Sequence, residues 1–261
     1  MKNASKIKKV TICGGHGRNG IKEAVEKVEL NMGNVVSIVG LTGSGKTALI
    51  NDIALFANGN TPSGRTVLIN DKVATEKMQN PAENPIALIT QHTNFLSDLP
   101  VKKFLETHIS VRQSENPELT LQQTLDFANQ LTGEPILLQN AMTELSGGQA
   151  RALLIADAVV VCSAPIVLLD EIENAGIYRT RALELLKQYK KIFIFVTHDP
   201  VIALLSDFRI LMQNGAMQKL IVTDEEEKEA IKGIKKLDDL LVRLRDKMRA
   251  GEHLTKADIV M

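Results

Sequence analysis

The chain has 261 residues, 44% of them apolar, with 31 Lys and Arg balanced by 31 Asp and Glu. That is enough for one large domain or two small ones, and the zero net charge lacks the basic excess of a dedicated nucleic-acid binder. Cys13 and Cys162 stand apart with no metal-ligand spacing, no apolar stretch follows the lysines at 2, 6, 8 and 9, and the apolar runs near 158–169 and 191–196 are interrupted or too short to cross a bilayer. These features predict a reducing, cytoplasmic setting, with Cys162 as a structural thiol in an apolar run.

Lys9–Cys13 reads as a strand, and Val28, Leu30 and Met32 alternate as a half-exposed strand does. Between them, Gly15-His-Gly-Arg-Asn-Gly20 matches the dinucleotide fingerprint G-x-G-x-x-G. The residues after Gly20 alternate with period two rather than forming the helix that fingerprint needs, so a hairpin loop is the better reading. Asn34–Val39 is then a near-continuous apolar strand, as in a parallel sheet covered on both faces. It runs into Gly40-Leu41-Thr42-Gly43-Ser44-Gly45-Lys46-Thr47, a complete phosphate-binding loop. Its glycines let backbone N–H groups turn inward around phosphate oxygens, Lys46 can reach the terminal phosphates, and the Thr47 hydroxyl can coordinate Mg²⁺. A helix over Ala48–Ala57 follows, with Asn58-Gly59 as its stop.

Arg65–Ile69 with the turn Asn70-Asp71 predicts a second hairpin, and Pro85–Gln91 another buried strand. Residues 92–144 carry apolar residues at helical spacing between turn signals and read as a helical insert. Parallel-sheet character returns at Ile166–Leu169 and Ile192–Val196, separated by a helix over roughly 178–189. Phe208–Gln213 and Met217–Val222, joined by Asn214-Gly215, form a terminal hairpin. From about 224 the chain is highly charged, with Ile231, Ile234, Leu237, Leu241, Leu244 and Met248 three or four apart. That is an amphipathic helix with a narrow stripe, packed on its own domain or on a partner.

Two further segments carry chemistry. Asp170-Glu171 ends the apolar strand from Ile166, at the edge where parallel sheets place their sites. Asp170 is positioned to hold Mg²⁺, and Glu171 to polarise a water attacking the γ-phosphate. Alone, such a pair is a weak signal; with the phosphate loop it is strong. Leu145-Ser146-Gly147-Gly148-Gln149 opens a helix over Ala150–Val159 and exposes N–H groups at its positive end, an anion site. The plainer reading is an ordinary helix start capped by Ser146. A second phosphate-type site in a chain that already has one is explained if it contacts the nucleotide of another copy.

In this order, the loop 40–47, Gln91, Leu-Ser-Gly-Gly-Gln at 145–149, Asp170-Glu171 and Thr197-His198-Asp199 resemble an ATP-binding cassette (ABC) ATPase over about residues 8–222. The resemblance implies an α/β P-loop fold of the ABC type: a mainly parallel core sheet with an antiparallel β subdomain and a helical subdomain. The expected organisation is an ATPase domain over 1–222, with its helical subdomain at about 92–144, and a helix and tail over 223–261. The resemblance further implies ATP and Mg²⁺ as ligands and Gln91 as a sensor of Mg²⁺ and the attacking water. Ser146, Gly147 and Gly148 would close over the γ-phosphate of an opposing subunit, with His198 at that phosphate. His92, His108 and His253 are read as surface residues.

The sequence also departs from the family pattern. The aromatic that stacks on adenine is missing, leaving His16 as the planar candidate and base preference open. After Glu171, Ile172-Glu-Asn-Ala-Gly-Ile177 replaces the usual transporter-type stretch, without its aspartate, and Asp157 stands where an arginine is common. The expected function is Mg²⁺-dependent ATP hydrolysis by a head-to-tail dimer energising a membrane transporter from the cytoplasmic face. The alternative is a non-transport ABC ATPase in assembly, regulation or repair. A homodimer or a heterodimer, with a membrane permease or another protein as partner and no direct nucleic acid, completes the expectation.

Overall fold

The computed structural model describes residues 7–80, 83–90, 93, 98–171 and 179–259. β1 (Lys9–Cys13) and β2 (Lys27–Asn31) form an antiparallel pair. β2 alternates, with Val28 and Leu30 buried and its other residues exposed, so one face meets a core and the other meets water. β3 (Val35–Val39) is buried along four of its five residues. α1 (Lys46–Ala54) follows the glycine-rich loop. β4 (Thr66–Ile69) and β5 (Lys72–Val73) turn at Asn70-Asp71, both at positive φ, as a two-residue hairpin requires. A single turn, α2 (Glu76–Gln79), precedes β6 (Ile86–Ile89).

α3 (Val101–Val111), α4 (Pro117–Leu131) and α5 (Gly147–Ala156) pack Leu105, Ile109, Phe127, Leu131 and Leu153 into one apolar cluster. β7 (Ile166–Asp170), α6 (Arg179–Lys187), β8 (Ile192–Val196) and α7 (Pro200–Leu205) alternate, and β9 (Phe208–Gln213) with β10 (Ala216–Val222) makes the terminal hairpin. α8 (Glu225–Arg249) is the longest helix described.

The strands divide into two sheets. β2-β1-β4-β5 is antiparallel throughout; in β10-β9-β3-β8-β7-β6 all neighbours are parallel except the β10–β9 edge. The six-stranded sheet separates two cores. One face, with Val36, Ile38, Leu168 and Ile194, packs on α1 and the antiparallel sheet. The other, with Val35, Val167, Phe193 and Phe195, packs on the helices from α3 to α6. Covered on both faces, the central strands are apolar at nearly every position rather than alternating.

Three expectations shift. α1 stops at Ala54 rather than running to Ala57, because Phe56 takes a left-handed conformation (φ 52) and Ala57 and Asn58 already pair with β4. The helix from Gly147 widens into a π-turn over Asp157–Val161, so α5 ends at Ala156. His108 is not a free surface residue. Its Nδ1 lies 3.1 and 3.2 Å from the two Asp157 carboxylate oxygens, and its ring centroid is 4.2 Å from that of Phe104. Cys162 donates to the same carboxylate, and burial, then the Asp157 charge, push its thiol up to about 11. It therefore stays protonated, as a structural thiol should.

The bond to Asp157 raises the His108 imidazole above its usual value, against partial burial and the nearby Arg112 charge. A raised folded value means that this stability is fully present below the unfolded value and lost as pH rises through the folded one. Imidazole titration by NMR should give a higher value in the wild type than in Asp157→Asn. The stability difference between wild type and His108→Gln in urea should shrink from pH 6 to pH 8.5 and, with the His108 side chain 41% exposed, stay below about 1 kcal/mol.

Candidate functional site

The carboxyl ends of β3, β8 and β7 lie side by side, with Ile38 opposite Val196 and Val196 opposite Asp170. Neighbouring strands are about 4.8 Å apart, so the three loops leaving them emerge within about 10 Å of one another. Those loops carry residues 40–45, Thr197-His198 and Glu171. Backbone hydrogen bonds fix the arrangement: Thr197 N donates to Ile38 O at 3.2 Å, and Glu171 N donates to Val196 O at 2.9 Å. Glu171 is left-handed (φ 49), a conformation costing a non-glycine residue about 1–2 kcal/mol. The turn brings Glu171 Oε1 to 3.6 Å from His198 Nε2. A carboxylate and an imidazole, both partly open to solvent, thus sit together above the sheet. Asp199 completes the turn by accepting from Val201 N and Ile202 N, which caps α7.

The loop 40–47 has the shape of an anion cradle. Gly45 (φ 102) lies so close to the Asn214-Gly215 turn that a Cβ would stand 2.7 Å from Gly215 Cα, and at Gly40 a Cβ would collide with Met212 O and Ser44 Oγ. Ser44 Oγ is buried and has no hydrogen-bond partner among the described residues, which marks a place for a ligand oxygen. Lys46 Nζ folds over the loop and donates to Gly40 O and Leu41 O at 3.0 and 3.2 Å. Leu41, Thr42 and Gly43 form the exposed rim, and Thr47 presents its hydroxyl in the first turn of α1. Thr47 and Asp170 offer hard oxygen donors, the type Mg²⁺ takes together with substrate phosphates.

Ser146 caps α5 by accepting from Gln149 N at 3.3 Å, while Ser146 N donates to Gln149 Oε1 at 2.9 Å. Gln149 Nε2 donates to Pro135 O. The cap is therefore an ordinary one in its bonds. Ser146 and Gly147 are nevertheless exposed, and the side-chain hydrogen bonds of Ser146 and Gln149 among the described residues run to each other's backbone N–H and to Pro135 O rather than to 40–47. The positive end of α5 faces outward. His16 is exposed, anchored by His16 N to Ser63 O at 2.8 Å, with its ring against Gly64. Gln91 and the stretch 172–178 lie outside the described residues.

The sequence profile of the family described as ABC transporter matches residues 26–174. The chain belongs to the ABC transporter family. It is an ATP-binding cassette, and its activity is ATP hydrolysis. An uncharacterized ABC transporter ATP-binding protein of Methanocaldococcus jannaschii is 47% identical over 254 residues, 97% of each chain. One more distant curated relative is much longer: the macrolide export ATP-binding/permease protein of Campylobacter jejuni is 28% identical over 84% of this chain, and the match spans 34% of that protein. In fold the cassette is similar to CbiO1 of Clostridium perfringens, part of the transporter complex CbiONQ (TM-score 0.63, 22% identity, 94% of this chain and 100% of that one). A dimeric cassette in a post-hydrolysis state with ADP and phosphate is similar too (TM-score 0.61, 22% identity, 82% and 99%).

Two polar clusters of the cassette escape sequence reasoning. Arg65 is fully buried between Glu23, which it meets through Nε and Nη2, and Asp52, which Nη1 reaches at 2.8 Å. Its Nη2 also donates to Gly215 O at 2.7 Å, and Gly215 N donates to Ser44 O at 2.8 Å. One guanidinium thus ties α1, β4, the 14–26 loop and the β9–β10 turn to the phosphate loop. Burial works against its charge, and Glu23 and Asp52 more than offset that, holding it above its usual value. Asp52, three residues from Leu49 on the buried side of α1, was the available signal. The second cluster joins α8 to the His198 turn: Arg179 Nη1 meets Asp199 at 2.6 Å and Asp238 at 3.7 Å, and Thr180 Oγ1 donates to Asp238 at 3.3 Å. Nothing local in the sequence announces that pairing.

Removing Arg65 leaves two carboxylates buried without a cation. Arg65→Met should lower unfolding free energy by about 3–5 kcal/mol in urea titration. A loss under about 1 kcal/mol would show that the network is not holding the fold at this point.

Proposed function

We propose that the cassette drives a transporter by closing around ATP with a second cassette, in a head-to-tail pair of two composite sites. The observation that carries this reading is the outward-facing N-terminus of α5, whose exposed Ser146 and Gly147 have their positive helix end free for another molecule's γ-phosphate. In the proposed pair, residues 40–47 of one copy cradle the triphosphate while Ser146, Gly147, Gly148 and Gln149 of the other close over it. The second cassette is another copy of this chain or a related one.

The chemistry rests on residues already close together. Lys46 leaves the loop carbonyls for the terminal phosphates, the N–H groups of 41–47 bind the phosphate oxygens, and Ser44 Oγ gains a partner. Glu171 orients the attacking water and accepts its proton; His198 steadies the carboxylate and contacts the γ-phosphate. Mg²⁺, held by Thr47 and Asp170, would neutralise charge on the phosphate oxygens when bound. Gln91 is assigned from the sequence to the same water and ion, and His16 to the base. Among the described residues no helix is long and apolar enough to cross a membrane. A transport role therefore assigns the pore to a permease at the membrane's inner face, with the helical region 92–144 as the docking side.

Lys46→Ala should weaken ATP binding by about 3 kcal/mol, roughly a hundredfold, in equilibrium titration; unchanged affinity would remove the phosphate-loop assignment. Glu171→Gln should slow hydrolysis by about 10²–10⁴ while leaving binding intact, so that an ATP-bound dimer accumulates in size-exclusion chromatography. Only monomer with ATP present would exclude the composite-site pair.

A further inference from the structure

The turn that carries His198 is tied at its base. Thr197 N donates to Ile38 O, Asp199 N donates to Thr197 Oγ1 at 2.9 Å, and Asp199 Oδ1 accepts from Val201 N and Ile202 N at 2.9 and 3.2 Å. The other carboxylate oxygen of Asp199, Oδ2, accepts from Arg179 Nη1 at 2.6 Å. That guanidinium is shared with α8, where Asp238 Oδ1 stands 3.7 Å from the same Nη1 and Asp238 Oδ2 accepts from Thr180 Oγ1 at 3.3 Å. Asp199 and Asp238 are each 9% exposed, so two carboxylates share one cation almost out of water.

Of the two, Asp199 alone pairs with Arg179 at hydrogen-bond distance. A second carboxylate at 3.7 Å is costly to bury and adds little attraction that the first does not supply. What it adds is direction. Drawn by Asp199 only, the guanidinium can move with that side chain. Drawn from α8 as well, it has one position, and Asp199 is held there with it. His198 is the residue before Asp199, and its Nε2 lies 3.6 Å from Glu171 Oε1. A displacement of about 1 Å at such a site can cost about 10²-fold in rate.

We propose that Asp238 is a positioning residue for ATP hydrolysis: through Arg179 and Asp199 it keeps the His198 turn in register with Glu171, a step that rests on the proposed contact of His198 with the γ-phosphate. Among the described residues the side chains of Arg179 and Asp238 bond to Asp199, Thr180 and each other, and none of these bonds reaches 40–47. Nucleotide affinity, carried by that loop, is therefore outside their control. α8 begins at Glu225, beyond the residues 26–174 that match the family profile. A helix that follows the core strands of the cassette thus governs the rate of the chemical step without touching the nucleotide.

Steady-state ATP turnover and equilibrium ATP titration of the full chain separate the two effects. Asp238→Asn keeps the volume and an acceptor for Thr180 but loses the charge that draws Arg179. It should lower kcat about tenfold, with ATP affinity unchanged within about twofold. Thr180→Val leaves both charges in place; it should lower kcat about threefold and serves where Asp238→Asn proves too unstable in urea titration. In a His198→Ala background Asp238→Asn should slow turnover no further, and on its own it should shift the NMR signal of the His198 imidazole. Turnover unchanged by Asp238→Asn and Thr180→Val, beside slow turnover in His198→Ala, would overturn the positioning role and leave that of His198 standing. An unmoved imidazole signal, an equal further loss in the His198→Ala background, or a matching loss of ATP affinity would each assign Asp238 to structure alone and overturn the positioning role too. Turnover unchanged by His198→Ala would remove the γ-phosphate contact itself, and the positioning with it.

Discussion

Arg65 is the constraint on which the placement of the phosphate loop depends. A buried guanidinium between two carboxylates is weak evidence for stability, because desolvating three charges cancels much of their attraction. Its value here is geometric. Glu23 accepts from Gly15 N at 2.9 Å and from Met217 N at 2.6 Å, and Asp52 accepts from Ser63 Oγ at 2.8 Å, so with Arg65 the carboxylates are held by groups from three separate segments. An apolar replacement could fill the volume but could not set the angle between α1 and the β9–β10 turn. That angle decides whether Gly215 can rest against Gly45 while its N–H reaches Ser44 O. The loop is thereby shaped before any nucleotide arrives, and preorganised N–H donors lose little entropy on binding.

The proposed catalytic side of the site has a different origin. It follows from strand order. Because β3, β8 and β7 are neighbours and parallel, their loops leave at one edge, and side chains far apart in sequence, Lys46, Glu171 and His198, share it. The left-handed turn at Glu171 is the local cost of aiming a carboxylate at that edge rather than along the strand; such costs concentrate at functional sites. The paired backbone bonds at Ile38 and Val196 hold the turn against relaxation.

The sequence was legible wherever the physics is local. Continuous apolar runs marked the central strands, Asn70-Asp71 and Asn214-Gly215 marked the hairpins, and the glycine spacing marked the phosphate loop. Helix ends were less legible. α1 stops at Ala54 because Phe56 turns left-handed and Ala57 and Asn58 are drawn into pairing with β4, a tertiary demand invisible to propensity. The same limit hid His108–Asp157 and Arg65–Glu23, whose partners lie 49 and 42 residues apart.

Arg179 shows how α8 and the edge that carries His198 are mechanically one unit. It follows the departing stretch directly, and its guanidinium is shared between Asp199, which caps α7 beside His198, and Asp238 on α8. All three side chains are largely buried. Sliding α8 by even one helical turn, about 5.4 Å, would strip Arg179 and Thr180 of Asp238 and leave a carboxylate under the helix unpaired. An unpaired buried charge costs about 3–5 kcal/mol, so α8 is fixed in register against α6 and α7. The turn at His198 is therefore held in place by the position of α8.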